Sequence, residues 1–146
     1  MKVLNFLFCD DIRPEIGNKF SLMGLYNEAI NFNVSPDQKN QWPKSTRIGI
    51  YAQLKFEKGE EDSKIRYIAI VIKQNDKEQT ILEAPMHQVQ ANTEKHGIVI
   101  QALFEKFKFD GPGNVEFTLI FKGEDKQELY RVSPSLKMAV QETVIK

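Results

Sequence analysis

Apolar and polar positions alternate with a period of two along most of the chain, the spacing of β-strands whose successive side chains point to opposite faces. The clearest case places Ile48, Ile50, Ala52, Leu54 and Phe56 on one face and Arg47, Tyr51, Gln53, Lys55 and Glu57 on the other, which predicts one buried and one wet face. Ile65 to Lys73 is almost continuously apolar and β-branched, the pattern of a strand in a sheet interior. Val3 to Cys9 puts apolar side chains on both faces of a first strand, which Asp10, Asp11 and Arg13-Pro14 are expected to end. Gly17-Asn18 then lets the chain reverse. Phe20, Leu22, Tyr26, Ile30, Phe32 and Val34 form one face of a long strand, or of two strands sharing a corner near Asn27-Glu28. Gly24 in the middle marks a bulge or a close backbone approach. From Ile98 to Phe109 the apolar phase moves by one residue, as a bulge near Glu105-Lys106 would make it do. Asp110 to Asn114 and Lys122 to Lys126 are turns on either side of the Val115-Phe117-Leu119-Phe121 strand. Residues 135–146 fit both a strand (Leu136, Met138, Val140) and a helix (Leu136, Ala139, Val140, Thr143, Val144); they are assigned to a short terminal helix.

About eight strands, separated by polar turns and two longer connections at 35–46 and 85–97, predict an all-β fold: an antiparallel Greek-key β-sandwich, with a barrel as the competing arrangement. The closing strands resemble the last hairpin of immunoglobulin-like domains. No linker or repeat interrupts the chain, so residues 1–146 are read as a single domain.

Charge and cysteine content narrow the function classes. Twenty basic residues balance twenty acidic ones, so no net electrostatic footprint points to nucleic acid or an anionic membrane. One cysteine makes no internal disulfide and suits a reducing compartment. The apolar run Val3 to Cys9 contains Asn5, ends at two aspartates and has no small-residue cleavage site, so it is not read as a signal. No apolar run approaches the roughly 18 residues needed for a membrane span. The expectation is a cytoplasmic protein without a membrane segment.

Little in the chain resembles a catalytic constellation. Cys9 falls within a predicted buried strand, where a thiol behaves as a small hydrophobe. His87 and His96, the available bases, lie in one polar loop with no nucleophile motif beside them and too far apart for helix-face metal pairing. Gly111-Pro112-Gly113 is no phosphate loop, because proline replaces a donor. No cofactor is therefore expected. Asp10, Asp11, Glu15 and Asp110 form the one carboxylate set worth weighing for calcium. Asp10, Asp11, Arg13 and Glu15 are the candidate structural or binding corner, and Asp11 is expected to pair with Arg13 or with backbone donors there. Trp42, in a loop, and Tyr51, on a wet face, are the candidate exposed aromatics for anchoring a partner.

Cys9-Asp-Asp-Ile-Arg-Pro-Glu-Ile-Gly-Asn-Lys-Phe-Ser-Leu-Met-Gly-Leu-Tyr26 resembles the opening of a family of small bacterial proteins of unknown function. That family carries an Asp-Asp-(Val/Ile)-Arg element followed by Gly-x-Lys-x-Ser-Leu-x-Gly, matched here by Asp10, Asp11, Ile12, Arg13, Gly17, Lys19, Ser21, Leu22 and Gly24. The resemblance implies a bacterial setting and a sheet-rich fold, and supplies no catalytic residues. The functional expectation is a non-enzymatic interaction or accessory module that binds a protein partner. The alternative is a small-ligand or calcium-binding sandwich using Asp10, Asp11 and Glu15.

Overall fold

A computed structural model describes residues 1–60, 64–86, 97–134 and 137–146. They build ten strands: β1 (Lys2–Glu15), β2 (Lys19–Tyr26), β3 (Ala29–Val34), β4 (Lys44–Lys55), β5 (Tyr67–Gln74), β6 (Lys77–Pro85), β7 (Ile98–Phe109), β8 (Gly113–Lys122), β9 (Glu128–Val132) and β10 (Met138–Val144). A 3-10 turn, Pro36–Gln38, follows β3. One sheet has the order β2-β1-β4-β7; the other runs β3-β10-β8-β5-β6, with β9 on β8. The fold is an all-β sandwich. No helix of the described residues is long and apolar enough to cross a membrane.

The chain divides into two compact units, and β1, β4, β7 and β8 contribute residues to both. The first comprises Met1–Phe6, Ala52–Val99 and Glu116–Ser135. Its organising strand is β5, flanked by β8 and β6, with Ile68 to Ile72 buried on both faces as the β-branched run requires. Asn75 and Asp76 both adopt positive φ, the conformation of a two-residue hairpin turn joining β5 to β6. Ile65, Ile70, Leu119 and Phe121 are among the most deeply buried side chains. Ala69, Val71 and Ile120 form a separate small cluster, and by strand alternation Ile120 points away from Leu119 and Phe121.

The second unit comprises Leu7–Tyr51, Ile100–Val115 and Leu136–Lys146. Ile30, Ile48, Ile50, Phe109, Val115 and Val140 form its buried centre. Exposure along β7 changes phase where expected: Ile98, Ile100, Ala102 and Phe104 are half-buried, Glu105 and Lys106 are both exposed, then Phe107 and Phe109 turn inward.

Of the two readings open for the apolar face from Phe20 to Val34, the structure shows the second: two strands, β2 and β3, which belong to different sheets and part at Asn27-Glu28. Three expectations are corrected. β1 does not stop at Asp10; it continues to Glu15 because the polar side chains of Asp10, Asp11 and Glu15 find partners on neighbouring strands. The C-terminal helix is the strand β10, since period-two burial of Met138 and Val140 coincides with pairing to β3 and β8. The β10–β3 pairing is parallel, so the sheets are not wholly antiparallel.

Candidate functional site

The polar corner forms where β1 runs between β2 and β4 in the second unit. β1 and β2 pair antiparallel in a constant register from Phe8↔Tyr26 to Glu15↔Lys19, skipping the step of Asp10 opposite Gly24. Gly17 at φ +87° and Asn18 at φ +56° make the reversal between them. The alternation of β1 separates its two aspartates.

Asp10 turns toward β2. Its carboxylate accepts a short hydrogen bond from the Tyr26 hydroxyl, whose oxygen also lies 3.3 Å from the Arg47 carbonyl. Burial, then the hydrogen bond to anionic Asp10, pushes the Tyr26 hydroxyl up to about 12, so it stays a donor. Gly24 is the reason Asp10 fits. At φ +66° it lies under that side chain, and a Cβ there would come within 2.9 Å of Asp10 Cγ. The glycine expected to mark a close approach does so, toward a side chain.

Asp11 turns the other way. Arg13 Nε donates to its Oδ2 at 2.9 Å and Arg47 Nη2 to its Oδ1 at 3.0 Å. These two guanidinium groups, the Arg13 hydrogen bond foremost, hold the Asp11 carboxyl below its usual range. Glu15 accepts from Ser21 Oγ at 3.0 Å, closing the far end of the hairpin. The structure thus sets Asp11, Arg13 and Glu15 on one face of β1 and Asp10 on the other, and adds three partners that the sequence did not single out for the corner: Arg47, Tyr26 and Ser21. Tyr26 and Ser21 were within reach of a local pattern, because the hairpin register sets them near their partners. Arg47, 36 residues from Asp11, carried no local signal.

Cys9 is fully buried, with its Sγ 3.3 Å from the Asp11 carbonyl and 3.8 Å from that of Gly49. Burial pushes its thiol up, away from the thiolate a nucleophile needs. Among the described residues no group of three or more histidine, cysteine or carboxylate side chains is placed to hold a metal ion. Asp10, Asp11 and Glu15 instead spend their oxygens on Tyr26, the two arginines and Ser21. His87 and His96 lie outside the described residues.

Neither candidate exposed aromatic is a free anchor; both are half-buried. The Trp42 ring meets Phe32 edge-on at 5.8 Å and has Lys44 Nζ 5.3 Å above it. Its loop is tied to β10 by Glu142, which accepts from the Asn40 backbone N–H at 3.0 Å and pairs with Lys44 at 3.3 Å. Tyr51 lies 6.3 Å from the Phe20 ring of β2, while its face is wet elsewhere, with Arg47, Lys55 and Glu57 exposed as expected.

The exposed apolar side chains of this unit mark a different surface. Among the described residues β2 is an edge strand, bonded on one side only, and Met23 and Leu25 stand 45% and 51% exposed along it. At the tip of the same hairpin Ile16 is 96% exposed. Comparison with protein-family models, with curated proteins and with solved structures finds no match to this chain.

Proposed function

We propose that the protein is a cytoplasmic, non-enzymatic interaction module of the small bacterial family its signature resembles, and that its protein partner docks along the free edge of β2. The observation that carries this reading is the pair Met23 and Leu25, exposed on a strand whose outer backbone groups face no other strand among the described residues. Such an edge offers main-chain donors and acceptors for an added strand, and the apolar side chains give that strand something to bury. The non-enzymatic part is supported by the chemistry of the corner. Its titratable side chains are occupied with one another, and its one thiol is buried and protonated.

The test is capture from native lysate on wild-type bait and on a Met23→Lys/Leu25→Lys bait, followed by amide exchange on the recovered complex. New protection along β2, lost with the double variant, is the expected result. Equal recovery by both baits overturns the reading. So does a calcium-dependent rise in melting temperature in the absence of any partner, since a ligand of the native state must raise the midpoint.

A further inference from the structure

We infer that the strand received by β2 is β2 of a second copy, giving a twofold dimer in which two four-stranded sheets join edge to edge. This rests on the reading of β2 as the docking edge and names its occupant.

The first observation is how differently the sheet edges are guarded. β6 carries Lys77, Glu78, Glu83 and a terminal Pro85, and the second half of β7 carries Glu105, Lys106 and Lys108. Charges and proline on an edge discourage added strands. β3 has Trp42 packed on its Phe32. β2 carries a charge only at its first residue, Lys19. Phe20 to Tyr26 contains no charge and no proline, and neither does Ile98 to Phe104 of β7, but Met23 and Leu25 of β2 are more exposed than Val99 and Leu103 of β7.

The second observation selects a second copy over an unrelated segment. β2 begins at Lys19 and is followed at its far end by Glu28, both exposed. Antiparallel pairing of the strand with itself sets Lys19 of each copy beside the Glu28 end of the other, so opposite charges meet at both ends. A parallel partner of the same sequence would bring like charges together. A twofold axis normal to the sheet keeps each side chain on its own face, which requires paired residues of equal parity. Centring on Met23 satisfies this. It places Leu25 opposite Ser21, Leu22 opposite Gly24, and Phe20 opposite Tyr26, a large residue against a small one or ring against ring.

Sedimentation equilibrium tests the proposal directly. Wild type should show a concentration-dependent monomer–dimer equilibrium, and Leu25→Lys should be monomeric with an unchanged far-ultraviolet spectrum. Lys19→Glu alone and Glu28→Lys alone should each weaken association about tenfold, because symmetry counts every pair twice. The Lys19→Glu/Glu28→Lys double variant should recover wild-type association. A wild-type monomer at all concentrations, or a dimer indifferent to Leu25→Lys and to the charge swap, overturns the inference. A monomer that nevertheless captures another protein with protection along β2 overturns the second copy while leaving the docking edge standing.

Discussion

Gly24→Ala is the sharpest probe of the corner, because two separate costs meet at that position. The first is conformational. Gly24 sits at φ +66°, where an L-residue costs about 1–2 kcal/mol. The second is steric, since the new Cβ would fall within 2.9 Å of Asp10 Cγ and the carboxylate would have to leave. Moving it breaks the hydrogen bond from Tyr26. Bonds to a charged group contribute about 1.5–3 kcal/mol, and the exposure of this one places it at the low end. The lost freedom of the unfolded chain offsets about 0.5 kcal/mol. The expected net loss is about 2–3 kcal/mol, which lowers the melting temperature of a chain this size by about 5–10 °C.

Urea denaturation of a double-mutant cycle separates the two costs. In an Asp10→Ala background the clash with the carboxylate is gone and only a 3.1 Å approach to the remaining Cβ is left, so Gly24→Ala should cost only about 1 kcal/mol, leaving a coupling of about 1–2 kcal/mol between the positions. Gly24→Asn gives an independent check: asparagine tolerates the left-handed region yet carries the same Cβ, so it should retain the Asp10-dependent part. Equal costs of Gly24→Ala in both backgrounds would refute the packing of Asp10 over Gly24.

Three further outcomes follow from the same coordinates. Asp11 is held below its ordinary value of 3.8, so its ionised form contributes stability that is complete above that pH and lost as pH falls through the lower folded-state value. Asp11→Asn should therefore lower the melting temperature at neutral pH and flatten its decline below about pH 4; an unchanged acid limb would count against the arginine pairing. The Cys9 thiol should be unreactive toward an aromatic disulfide reagent in the native protein and react fully in denaturant, and fast native labelling would contradict its burial. Leu119→Ala, at a side chain with 0% exposure, should cost about 2–5 kcal/mol in urea denaturation, and a loss below 1 kcal/mol would mean that β8 does not carry the core.

What could be read from the sequence was what the strand period alone decides. The β-branched run of β5 demanded cover on both faces, and the phase change at Glu105-Lys106 appears as a change of exposed face in β7. The errors came where a distant partner outweighs the local signal. Asp10 and Asp11 look like a strand end because isolated carboxylates disfavour a strand. Tyr26 and Arg47 remove that penalty from positions 16 and 36 residues away. Residues 138–144 fit both periods, and the parallel pairing of Ala139 to Val144 with Ala29 to Val34 decides for the strand. Trp42 looked available because it lies among polar loop residues, and Tyr51 because it shares a face with Arg47, Gln53 and Lys55; the rings they meet, Phe32 and Phe20, belong to other strands.

Several residues of the stretch from Asp10 to Tyr26 serve the hairpin itself. Gly17 turns it, Ser21 ties Glu15, Asp11 gathers Arg13 and Arg47, and Gly24 leaves room for Asp10 to reach Tyr26. Together these contacts form a clamp that fixes β1, β2 and β4 to one another. It also bears on the edge proposed for docking. A strand clamped at both ends by Tyr26–Asp10 and Ser21–Glu15 keeps its outer donors and acceptors in line, so a partner strand need not order it first. Loosening the clamp without touching the apolar edge, as Asp10→Ala does, should therefore weaken association along β2 even though Asp10 meets no partner. An Asp10→Ala protein that folds and associates as tightly as wild type would separate the corner from the edge and leave the corner with a role in folding alone.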